Sequence, residues 1–240
     1  RKSTCFVLFN ASSAVARAPG AASALTGAVR VHDLVRSALG RFAQPAEGLL
    51  PPGILGHDPG RRRQPLAREA AAERLALSGL ELPVRLRASI SPAVQARLGA
   101  LIAALFREWE ALGVTVSVET PTLEAHVASW EKAGDFDLTL QEWEADYDDP
   151  DNFTYTLFHS EGGLFRRFYS SEALDRLVDE ARGEGRVAAR EALCRRVEEH
   201  LLETGLFLPL FHGVDYRVAS AAVRGLAFEP APPQVAYSRI

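Results

Sequence analysis

The chain has 240 residues, 47% of them hydrophobic and 24% charged, which suffices for one large core or two modest ones. Its formal net charge of -4 and pI near 5.9 supply no basic face, which argues against direct nucleic acid contact and against an anionic membrane as partner. Two cysteines, Cys5 and Cys194, permit at most one internal disulfide, and the sequence leaves open whether they meet.

The sequence contains no Met, begins Arg1-Lys2 and uses lysine only at Lys2 and Lys132, so it reads as a fragment or processed chain from a GC-rich coding sequence. No apolar run approaches the roughly 18 to 20 residues that span a bilayer. Phe6–Phe9 reads as a short strand. Ala11–Ala28 is rich in small residues, and Pro19-Gly20 breaks any early helix. Val31, Leu34, Val35, Ala38 and Leu39 then follow helical spacing up to a stop at Gly40. Leu49–Gly60 holds adjacent prolines and three glycines and reads as loop, and a helix follows from Pro65 to Gly79.

The middle of the chain is the most regular. Leu82–Ile90 alternates as a strand, Ser91-Pro92 caps a long helix to Leu112, and Gly113 ends it. Val114–Glu119 is a second strand, Thr122–Ala133 a second helix and Phe136–Leu140 a third strand. This predicts an α/β fold containing a βαβαβ unit, its helices packed on a largely parallel sheet by right-handed crossovers. A short helix near Asp151–His159 and helices over Ser171–Arg182 and Arg186–Leu202 come next, then short strands at Leu206–Phe211, Asp215–Ala219 and Leu226–Phe228.

The third strand runs into Trp143-Glu-Ala-Asp146-Tyr147-Asp-Asp-Pro150-Asp-Asn152-Phe153. Ligands of open α/β sheets bind where strand ends face a crevice, so Asp146 is placed to receive an ammonium group beside the aromatic wall of Trp143. The same spacing equally fits a turn in which Asp149 or Asp151 caps the next helix and Asp146 stays in solvent. A calcium loop fits poorly: counted from Asp146, Asp151 stands where an EF-hand needs glycine and Leu157 where it needs glutamate.

Other candidates carry less. Gly183-Glu-Gly185-Arg-Val-Ala188 follows a charged helix rather than a strand and reads as an inter-helix turn, and Gly60–Arg63 reads as a solvated basic loop. His159, His200 and His212 lack zinc-site spacing, with His200 read as solvated or locally paired, and no metal or cofactor is expected. No G-x-S-x-G or G-x-x-x-x-G-K motif occurs, so nothing in the sequence supports an enzyme.

Several pieces in order give the chain a resemblance to the C-terminal half of a family 5 extracellular solute-binding protein, the oligopeptide-, dipeptide- and nickel-binding proteins of ABC importers. They are Phe9-Asn10, Leu50-Pro-Pro-Gly53, Trp143–Phe153 with Leu157–Ser160, Tyr169-Ser170 with Leu174-Asp175, the helix from Arg190 to Glu203, Leu208–His212 and Val223–Leu226. The resemblance implies one lobe of a type II periplasmic-binding-protein-like clamshell, with 1–10 and about 206–240 returning toward a hinge and a second, N-terminal lobe. It implies Asp146 as receiver of a peptide's N-terminal ammonium, Trp143 as lining of a nearby pocket, a membrane permease as partner and a periplasmic or membrane-anchored extracellular location. Ala11–Ala28 departs from the family in lacking its Pro-Phe and acidic residues. Some bacterial transcription regulators also resemble this family, and a cytoplasmic solute-sensing domain is the alternative expectation.

Overall fold

The structure, a computed structural model, describes residues 2–119, 122–132, 136–216 and 218–227. Among these residues, β1 (Ser3–Phe9), β2 (Ala43–Pro45), β3 (Val84–Ser89), β4 (Val114–Val118), β5 (Leu138–Glu144) and β6 (Phe207–Gly213) form one sheet in the order β2-β6-β1-β5-β3-β4. β1 lies inside it and is buried along its whole length, with Cys5, Val7 and Phe9 facing one core and Phe6 and Leu8 the other. That two-sided burial is the reason its apolar residues run continuously rather than alternate.

The βαβαβ unit forms as expected, with β3 parallel to both β4 and β5. The chain steps outward from β3 through α5 (Pro92–Glu110) to β4, then back past β3 through α6 (Leu123–Lys132) to β5. Right-handed connections in opposite directions put the two helices on opposite faces. Accordingly Leu101, Leu105 and Trp109 of α5 belong to the first core, and Trp130 of α6 packs against the second. Ser91 caps α5 by accepting a hydrogen bond from the Val94 amide, with Pro92 in its first turn.

The largely parallel sheet is not what forms. β1 runs antiparallel to β5 and to β6, and β2 antiparallel to β6, so the sheet is mixed, with parallel pairing confined to β4-β3-β5. The apolar runs of β1 and β6 read the same in either direction. The small-residue stretch also differs from expectation: α1 (Ala14–Arg17) and α2 (Ala21–Ala28) stand on either side of Pro19-Gly20. The break separates two helices instead of preventing them. α3 (Val31–Leu39) ends at Gly40 as expected, a 3-10 turn over Gly40–Phe42 and β2 follow, and α4 (Arg68–Leu77) completes this face.

The other face carries the loop around Leu49–Ile54, a 3-10 turn at Pro150–Asn152, α7 (Tyr155–Phe158), α8 (Glu172–Gly183) and α9 (Val187–Glu203). Cys5 and Cys194 are free and buried in cores on opposite faces of the sheet, so no disulfide joins them. Asp215, Tyr216, Val218 and Ala219 form no strand, and Leu226 and Ala227 are likewise irregular; Phe228 and 229–240 lie outside the described residues. No described helix is long and apolar enough to cross a membrane.

Candidate functional site

Antiparallel register brings the start of β1 beside the end of β5: Thr4 pairs with Trp143, and the Ala145 amide donates to the Lys2 carbonyl at 2.8 Å. Thr4 also pairs with His212. The chain therefore enters β1 and leaves β6 at the sheet end from which the acidic turn emerges.

Asn152 organises that turn. Its side-chain oxygen, in a residue only 1% exposed, accepts the Trp143 indole N–H at 2.9 Å and the Asp146 amide at 3.2 Å. Trp143 is thus held half-buried against the second core, while Asp146 is exposed. Asp149 caps the 3-10 turn by accepting from the Asp151 amide at 2.8 Å, and takes a two-pronged contact from Arg190 at 2.7 and 2.8 Å. Burial raises the Asp149 carboxyl, but hydrogen bonds from Arg190 and the Asp151 amide outweigh it and hold it below the usual carboxylate range. Asp151 faces Arg182 at 3.0 Å, yet burial is the larger effect and its carboxyl lies above the usual range. Lys2 reaches Asp148 at 2.5 Å.

Asp148, Asp149 and Asp151 therefore each have a cation, which limits repulsion within so acidic a turn. No hydrogen bond or ion pair reaches the Asp146 carboxylate among the described residues. Of the two sequence readings the structure meets the turn: Asp149 is the cap and Asp146 a solvent-facing carboxylate, its backbone fixed beside an anchored indole.

β5 adds a second feature. Its pairing with β3 ends at Ser89↔Thr139, whereas pairing with β1 continues to Glu144. From Leu140 to Trp143 one edge of β5 has no strand partner among the described residues, so its main-chain groups can accept an extended chain as an added strand. At the start of this edge Gln141 donates to Thr139 Oγ1 at 2.5 Å and lies 3.3 Å from His126 Nε2. Ser89 Oγ shares hydrogen bonds with His126 Nδ1 at 2.9 Å and Ser129 Oγ at 2.7 Å. Burial lowers the His126 pKa, keeping this polar floor uncharged. Arg97 of α5 contacts Glu142 beside the edge.

No sequence pattern marks Asn152 as the bridge, or Arg190 and Arg182 as counterions, because these contacts span 6 to 41 residues. The basic loop is not simply solvated: Arg61 reaches the buried Glu198 at 3.3 Å, and Arg63 donates to the Thr26 carbonyl at 2.8 Å. Gly183–Gly185 does join two helices, and His200 meets the Ser171 hydroxyl at the start of α8, 29 residues away, at 3.1 Å rather than a local partner.

The sequence profile of the bacterial extracellular solute-binding proteins, family 5, in its middle part, matches residues 1–165. The Escherichia coli (strain K12) periplasmic murein peptide-binding protein MppA is 29% identical over 128 residues, covering 53% of this chain and 23% of MppA. Di/tripeptide-binding protein 2 of Pseudomonas aeruginosa (strain UCBPP-PA14) is 27% identical over 202 residues, covering 80% of this chain and 37% of that protein. The solved structure of the Escherichia coli murein tripeptide binding protein MppA shares the fold with a TM-score of 0.81 at 23% identity, covering 100% of this chain and 48% of MppA. This chain thus spans less than half the length of these relatives. With a profile match over 165 of 240 residues and the matching fold, the chain belongs to the bacterial extracellular solute-binding proteins, family 5.

Proposed function

We propose that this chain is one ligand-contacting lobe of a non-enzymatic peptide receptor that works with an ABC permease outside the cytoplasmic membrane. The observation that carries the reading is Asp146, the exposed carboxylate left without a counterion among the described residues while Asp148, Asp149 and Asp151 each have one. A ligand's N-terminal ammonium would be that counterion, with the Trp143 indole as the neighbouring apolar wall. The open edge from Leu140 to Trp143 supports the same reading, because main-chain pairing binds any extended peptide irrespective of its side chains. The names of the two sequence relatives, murein peptide-binding and di/tripeptide-binding, agree with peptides as the substrate class, and the regulator alternative draws no support from them.

In this reading residues 1–10 and 206–240 lead toward a hinge and a second lobe, and closure of the two lobes buries the peptide and presents it to the permease. Closure excludes water from the ammonium–carboxylate contact, a charge-assisted hydrogen bond of about 1.5 to 3 kcal/mol. Asp146→Ala in the full-length protein should therefore weaken a di- or tripeptide with a free amine by about 10- to 150-fold. The N-acetylated peptide, which lacks the cation, should bind parent and variant alike. Equal loss for both peptides by calorimetry would remove Asp146 from this role.

A further inference from the structure

A cavity of about 460 Å³ opens on the other side of β1 from the acidic turn, between α3, β2, residues 47–62, α9 and the end of β6. Its wall includes Gln44 and His212, which share a cross-strand row with Thr4 and Trp143. Three strand spacings of about 4.8 Å put Gln44 roughly 14 Å from Trp143, so this is a place distinct from the proposed peptide site. The volume is that of a small-molecule pocket.

Its charges are unevenly committed. Three carboxylates and four guanidinium groups line the cavity. Each carboxylate already accepts a main-chain amide: Glu47 from Arg63 at 2.8 Å, Asp58 from Gly60 at 2.9 Å and Glu198 from Leu50 at 2.7 Å. Gly48 allows the last of these, since a Cβ there would lie 2.5 Å from Glu198 Oε1. Arg61, 12% exposed, touches Glu198 through Nη2 at 3.3 Å, while its buried Nε donor has no partner. Arg62 donates to the Pro59 and Arg61 carbonyls. Arg36 and Arg41 are exposed and have no acidic partner among the described residues; Arg41 only overhangs the Phe42 ring at 5.8 Å.

The acids are turned to the backbone and the guanidinium donors remain. We propose that this cavity binds a small polyanion, a molecule with two or more carboxylate or phosphate groups, held by Arg36 and Arg41 at the rim and Arg61 deeper in. Planar guanidinium groups bind either oxyanion through paired N–H donors, so geometry defines the shared chemistry and experiment separates the two sources. Val214, the first residue after β6, also lines the cavity, so an occupant would touch the chain where it leaves the sheet.

Calorimetric titration of the full-length protein with citrate and, separately, pyrophosphate, each against sodium chloride of equal ionic strength, tests this. At least one should bind with sub-millimolar affinity, and which one does so identifies the preferred group. Arg36→Ala with Arg41→Ala should weaken that binding at least tenfold while leaving peptide affinity and the melting temperature without polyanion unchanged. Arg61 is spared because it also holds Glu198. Binding of neither probe above the chloride control overturns the proposal, as does equal binding by the parent and the double variant.

Discussion

Removing the Asn152 side chain tests the link between fold and site. Its oxygen serves two donors, the Trp143 indole at 2.9 Å and the Asp146 amide at 3.2 Å, inside a residue 1% exposed. Asn152→Ala leaves both donors without that acceptor. At about 1 to 1.5 kcal/mol for each hydrogen bond the loss is about 2 to 3 kcal/mol. For a chain of this size that corresponds to a melting temperature lower by about 5 to 10 °C. Two local readouts should accompany it. Hydrogen exchange at the Asp146 amide should accelerate, since its recorded acceptor is gone, and affinity for free-amine peptides should fall at least tenfold as the turn loosens. A variant that melts within 1 °C of the parent with an equally protected Asp146 amide would show that Asn152 does not hold the turn.

Further expectations concern the second core. Burial raises the Glu198 carboxyl from 4.5 to about 7, so the folded state holds the proton more tightly than the unfolded one between those values. Stability from this group is therefore present at low pH and lost as pH rises from 4.5 to about 7; at about 1.4 kcal/mol per unit the loss is about 3 kcal/mol. Glu198→Gln, which cannot titrate, should gain on the parent by that amount between pH 4 and pH 8 in denaturation series, and parallel pH curves would contradict the assignment. Gly56 adopts φ +92°, and a Cβ there would lie 2.5 Å from the Cys194 Cβ. Strain and overpacking together make Gly56→Ala cost about 2 to 5 kcal/mol; a melting temperature within 2 °C of the parent would refute the close contact.

The βαβαβ unit was legible because local chemistry punctuates it: alternation over Leu82–Ile90, the Ser91-Pro92 cap and the stop at Gly113. Strand direction outside that unit was not, because β1 and β6 are buried on both faces and carry no mark of which neighbour they pair with. Pro19-Gly20 was legible as a break but not as a junction, since two short helices depend on burial of Val15, Ala21 and Leu25 rather than on their own propensity. Ala43–Pro45 is too short to register as a strand without its partner at the end of β6.

In the acidic turn the sequence offered Asp149 or Asp151 as the cap, and the structure gives that place to Asp149. What the sequence could not supply was the division of labour among the acids. That depends on Lys2, Arg182 and Arg190 arriving from distant elements, and on the ladder between β3 and β5 stopping at Thr139. That Asp146 has no counterion among the described residues is therefore a property of the tertiary fold.

The most direct measurement is a crystal structure of the full-length protein with a bound di- or tripeptide. The account predicts the peptide's ammonium nitrogen within about 3 Å of the Asp146 carboxylate, with its main chain hydrogen-bonded along residues 140–143. A peptide bound with its amine away from Asp146, or on a surface that leaves this edge of β5 open, would contradict it.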